Sequence, residues 1–128
     1  MRVYGNGLRI TRIMKFTNSM KHETKENSRL VFGVAVKTQS IVITDANILE
    51  VETGTTGFRG GDTGHGGRTY FRLQDHASTD MNVRVNGGEW EDLMSGGSVE
   101  IAFGGDAELN TFISALEFTL KELKKATR

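Results

Sequence analysis

The 128-residue chain has no cysteine and no proline, one tryptophan, two tyrosines and no excess of either charge, with 16 Lys and Arg against 16 Asp and Glu. Without cysteine there is no disulfide framework, no thiolate zinc site and no thiol nucleophile, so zinc ribbons, thiol enzymes and knottin-like secreted scaffolds are excluded. No long hydrophobic run is present either. The longest, Val31-Phe32-Gly33-Val34-Ala35-Val36, is far too short to cross a bilayer. The first residues, Met1-Arg2-Val3-Tyr4-Gly5-Asn6, carry no apolar signal segment. The zero net charge argues against a general nucleic-acid binder, whose footprint is a basic surface. A single soluble domain spanning 1–128, cytoplasmic and without a membrane partner, is the expectation. That length suffices for a real core.

The charge is unevenly spread. Residues 1–29 hold seven Lys or Arg and two Glu, whereas residues 87–128 hold eight Asp or Glu and four Lys or Arg. Two opposite patches of this kind can be separate solvated faces or can meet across a subunit contact, and a homo-oligomer is expected on that ground and because Phe118 lies off the centre of the helical stripe described below.

The chain alternates in short β-prone runs. Leu8–Phe16 reads as a strand with a bulge at Arg12-Ile13, and the polar 17–29 stretch as a loop or hairpin tip. Leu30–Lys37 and Ser40–Thr44 read as strands joined at Thr38-Gln39, and Ile48–Glu52 as a further strand. In Arg68–Gln74 the side chains of Thr69, Phe71 and Leu73 share one face, and Arg68, Tyr70, Arg72 and Gln74 the other. Met81–Asn86 and Ser98–Phe103 complete about seven strands. Asp106 is a preferred N-cap for the last segment, where Leu109, Phe112, Ile113, Leu116, Leu120 and Leu123 form one helical stripe. The fold class is α+β, an antiparallel sheet with one C-terminal amphipathic helix packed on it.

Half of residues 54–67 are glycine, seven of fourteen. So much glycine raises the entropic cost of folding, and a loop that brings backbone N–H groups close to an anion would justify it. Phe58, Arg59, Gly60, Gly61, Asp62, His65, Gly66, Gly67, Arg68, Tyr70 and Arg72 are the candidate ligand-binding residues. Guanidinium groups match phosphate oxygens, aromatic faces match bases, and the glycine N–H groups would complete the cradle. Asp62 or His65 would read polar edges.

Other motifs fail on context. Asp62-Thr63-Gly64 is the tripeptide of dimeric aspartic proteases, but no apolar strand leads into it. Gly61 to Gly66 has the spacing of a P-loop, yet the Lys-Ser/Thr pair is missing and a strand follows. Asp62, His65, Asp75 and His76 could supply metal ligands, but their spacing constrains nothing. No metal or cofactor is expected.

The block VETGTTGFRGGDTGHGGRTYFRLQD, followed by GGDAELNTFISALEFTLKELKK as the one closing helix, resembles small proteins encoded by phages and prophages of Gram-positive bacteria. In chemistry it is similar to phage "sponge" proteins that counter Thoeris and CBASS immunity. That resemblance implies a non-catalytic, homo-oligomeric protein sequestering a cyclic nucleotide or cyclic ADP-ribose signal in an infected host. Two alternatives come from other classes. One is a small enzyme that cleaves a phosphate-bearing ligand using His65 and Asp62. The other is a phage structural or replication-accessory module whose glycine loop is only a turn.

Overall fold

The computed structural model describes residues 11–16 and 20–128, with side chains from Glu23 onward. The strands are β1 (Thr11–Phe16), β2 (Met20–Val31), β3 (Val34–Thr44), β4 (Ile48–Thr55), β5 (Arg68–Ala77), β6 (Asn82–Val83), β7 (Glu91–Asp92) and β8 (Ser98–Gly104), and one helix, α1 (Asp106–Ala126), follows. The main sheet is an antiparallel meander of order β1-β2-β3-β4-β5-β8, and β6 pairs with β7 as a separate ribbon. Only the 78–97 excursion interrupts nearest-neighbour pairing.

Register sorts the side chains into two unlike faces. Arg72 stands opposite Glu52 on β4 and opposite Glu100 on β8, and Glu52 stands opposite Ser40 on β3. That face therefore collects Val36, Thr38, Glu50, Glu52, Arg68, Tyr70, Arg72 and Gln74. The other face collects Ile41, Ile43, Leu49, Val51, Phe71, Leu73, Val99, Ile101 and Phe103. The sheet curls toward the polar side. β2 and β5, with two strands between them, approach within 8 Å at their backbones, and the Arg29 guanidinium lies 5.4 Å from the Tyr70 ring centre. A right-handed twist summed over several strands produces such coiling.

The consequence is unusual. Among the described residues the buried apolar cluster is Val31, Val36 and Tyr70, and beside it Glu52 and Thr38 are each 1% exposed. None of the apolar side chains named on the convex face is fully buried. The helix covers one corner of that face, where Phe112 meets Phe103 at 4.7 Å and Phe71 at 5.8 Å between ring centres.

The α+β class with a C-terminal helix holds, and so does the alternation along Arg68–Gln74. Several local expectations need correction. Most of the polar 17–29 stretch is strand β2, whose Lys25, Asn27 and Ser28 are exposed; such a strand carries no apolar period to announce it. β3 runs without a break through Thr38-Gln39, and the hairpin turns at Phe32-Gly33, both with positive φ (49° and 80°). The β1–β2 register is uninterrupted at Arg12-Ile13, so no bulge lies there; the start of that expected strand, Leu8 to Ile10, lies outside the described residues. Met81–Asn86 shrinks to the two residues of β6. The helix N-cap is Gly105, not Asp106.

Candidate functional site

The glycine-rich loop leaves β4 at Thr55 and returns at Arg68, where the Thr56 N–H donates to the Arg68 carbonyl and the Arg68 N–H to Thr56 Oγ1. Its inward N–H groups have an anion already, from the chain itself. The Asp106 carboxylate accepts from the backbone N–H of Arg59 (3.0 and 3.1 Å), Gly60 (2.6 Å) and Gly67 (3.0 Å). Those donors hold the Asp106 carboxyl below its ordinary range, the Arg59 and Gly67 N–H groups most of all.

The exchange is reciprocal. Asp62 Oδ1 accepts from the Ala107 N–H at 2.8 Å, satisfying one of the open donors of the first helical turn. Glu108 Oε1 accepts from the Thr63 N–H at 3.2 Å, and the Asp106 N–H donates to the Gly61 carbonyl at 2.7 Å. Loop and helix base clasp each other. Glycine is required where the strands of this clasp nearly touch: a Cβ on Gly67 would stand 2.2 Å from the Gly57 carbonyl oxygen.

The predicted site residues therefore divide into three groups. Gly60, Gly61, Asp62, Gly66 and Gly67 build the clasp. The side chains of Phe58, Arg59 and His65 are exposed at its outer surface, Phe58 by 60%. Arg68, Tyr70 and Arg72 lie on the concave sheet face.

Glu52 is the hub of that concave face. Arg29 donates to both of its carboxylate oxygens (2.8 and 2.6 Å), Thr38 Oγ1 to Oε2 at 2.6 Å, and Arg72 to Oε1 at 3.2 and 3.0 Å. Burial alone would push the carboxyl up, but the hydrogen bonds from Arg29, Thr38 and Arg72 outweigh it and hold the carboxyl at about 2. Arg72 also pairs with Glu50 at 3.1 Å. The Tyr70 hydroxyl donates to Glu100. Burial first and that hydrogen bond second push the phenol up to about 12. Tyr70 and Arg72 are thus enclosed in internal pairings, with Tyr70 only 5% exposed.

Arg68 differs. Its Nη1 donates to the Gly66 and Gly67 carbonyls at 3.1 and 3.3 Å. Its Nε is buried with no hydrogen-bond partner, the one such side-chain atom among the described residues. The guanidinium lies 5.9 Å from the ring centre of Phe32 at the β2–β3 hairpin tip. Phe32 is 65% exposed and holds φ 49°, a conformation that costs a bulky residue about 1–3 kcal/mol. On the other side Arg68 faces Gly104 of β8, which has no side chain to fill the space. A cation, an exposed ring and a bare strand segment thus meet at one corner of the concave face.

Sequence reasoning missed Phe32, Arg29 and Glu52. A bulky residue before Gly33 in a β-prone run was the available sign of the turn; the Glu52 partners lie 14 to 23 residues away and follow no local period. Of the residues considered for a metal, Asp62 is engaged with the helix base and His76 with Glu50 at 2.7 Å. Among the described residues no three His, Asp or Glu stand together as a metal site would require, and no helix is long and apolar enough to cross a membrane. Comparison with known protein families, with curated proteins and with solved structures finds no match to this chain.

Proposed function

We propose that the protein is a non-catalytic binder of a phosphorylated, planar ligand of the nucleotide class, seated at the corner formed by Arg68, Phe32 and Gly104. The buried, unpartnered Nε of Arg68 carries this reading. Leaving a buried donor unsatisfied costs about 1–3 kcal/mol, more for a charged group, and a phosphate oxygen would supply the missing acceptor. Phe32 offers a flat face beside that cation, held in a conformation that the turn alone does not require of a phenylalanine. Arg68 is a permanent cation and Phe32 is chemically inert, so the corner is suited to holding a ligand and not to moving protons. The resemblance to phage sponge proteins narrows the class to cyclic dinucleotides, cyclic trinucleotides and cyclic ADP-ribose isomers, sequestered in an infected bacterium.

The test is a mix-and-recover assay. The protein is incubated with a panel of those three ligand types, free ligand is removed, the protein is heat-denatured, and the released material is identified by mass spectrometry. A ligand that disappears and returns intact is the expected result. Return of an altered ligand would make the protein an enzyme, and no depletion of any ligand would overturn the proposal. Arg68→Ala should weaken binding by about 30-fold or more, as expected when a desolvated phosphate loses its cation, with the circular dichroism spectrum unchanged. Loss on Arg59→Ala with retention on Arg68→Ala would move the site to the outer surface of the glycine loop.

A further inference from the structure

Helix α1 is 21 residues long, yet only its first turns touch the sheet. Beyond Phe112 its apolar side chains are largely exposed. Ile113 and Leu116 are each 43% exposed, Leu120 56%, Leu123 61% and Phe118 65%. The stretch beyond Phe112 is of the length, about 12–15 residues, at which an isolated helix is marginal in water, so a helix continuing to Ala126 with its apolar side exposed calls for a partner.

Three observations identify that partner as a second copy of this chain. The first is spacing. Leu109, Ile113, Leu116, Leu120 and Leu123 are separated by 4, 3, 4 and 3 residues, the 3.5-residue repeat with which a helix packs against another helix along a narrow seam. The second is charge. Residues 106–117 contain three acids and no base, while residues 118–128 contain four bases and one acid. Two copies laid antiparallel set each acidic half over the other's basic half; a parallel pair would stack like on like. The third is exposure. Ile113, Leu116, Leu120 and Leu123 share one helix face and, with Ile101 of the convex sheet face, are each between 43% and 61% exposed.

We infer that α1 pairs antiparallel with α1 of a second copy, closing the apolar seam and covering the convex sheet face. This stands apart from ligand binding, which uses the concave face.

Sedimentation of the full chain at micromolar concentration should give twice the 14.1 kDa of one chain, and a monomer would overturn the inference. Leu120→Asp, an exposed position that the fold does not need, should shift the dimer to monomer with the sheet signal unchanged; persistence of the dimer would place the interface elsewhere. Orientation is tested by single cysteines, which the natural chain lacks. Ile113→Cys mixed with Leu123→Cys should form the mixed disulfide in preference to either self-pair. Preferential self-pairing would mean a parallel arrangement and overturn this one. A monomer that instead floats with neutral or anionic vesicles would assign the seam to a lipid surface.

Discussion

Replacing Glu52 with alanine is expected to cost about 3–5 kcal/mol of stability, the loss seen when one partner of a buried ion pair is removed and the other is left uncompensated. Three donors converge on this carboxylate: Arg29 from β2, Thr38 from β3 and Arg72 from β5. Glu52 is 1% exposed. Without it two guanidinium groups face each other across the concave side, with Glu50 the one carboxylate still paired with Arg72, beside the neutral Gln74 side-chain oxygen. For a domain whose total stability is about 5–15 kcal/mol, the loss approaches unfolding. The same group makes acid stability predictable. Its folded value of about 2 lies below the ordinary 4.5, so its contribution is complete above the ordinary range and disappears as the pH falls toward 2. The difference corresponds to about 3 kcal/mol. Urea unfolding of the natural chain should therefore show a midpoint falling steeply between pH 5 and pH 2. Glu52→Gln should start lower at pH 7 and change less over the same interval. Equal pH dependence in the two proteins would remove Glu52 from its place at the centre of the fold.

What the sequence announced and what it concealed follow from the range of the interactions. The alternation in Arg68–Gln74 and the stripe of α1 are local periods, and the strand and the helix both appear in the structure. Of the stripe, only its start at Leu109 and Phe112 packs on the sheet as expected, and the rest is exposed. β2 was hidden because both of its faces carry polar side chains, so no period of two stood out. The concave network was hidden for a different reason: Arg29, Glu52 and Arg72 meet only because the sheet curls β2 toward β5, and no spacing encodes curl. The glycine block was legible as an anion-binding loop, which its geometry is. Which anion would fill it was not legible, since Asp106 reads equally well as an ordinary helix cap. Its position one residue past Gly105 turns its carboxylate back to the loop instead.

That clasp yields a second large effect. Gly67→Ala should destabilise the protein by about 2–4 kcal/mol, because the new Cβ would stand 2.2 Å from the Gly57 carbonyl oxygen and 3.3 Å from Asp106 Oδ1. Neither neighbour is free to yield. The first is backbone, and the second belongs to a carboxylate whose two oxygens are held by three loop N–H donors. Relief requires the loop to open, and opening breaks the bonds from the Gly67 N–H to Asp106 and from the Gly105 N–H to the Gly67 carbonyl. Gly57→Ala provides the control. Gly57 has positive φ but nothing within 4 Å of its missing Cβ, so only the backbone conformation is strained and the cost should be near 1 kcal/mol. Hydrogen exchange separates the two. In Gly67→Ala the amides of Asp106, Ala107 and Leu109, which bond to Gly61, Asp62 and Gly105, should exchange faster while those of β3 and β4 keep their order of protection. If both variants lose the same stability and leave those three amides unchanged, the loop is not what fixes the helix to the sheet. In that case the direction in which α1 presents its apolar seam would depend on the Phe112 contact with Phe71 and Phe103 alone.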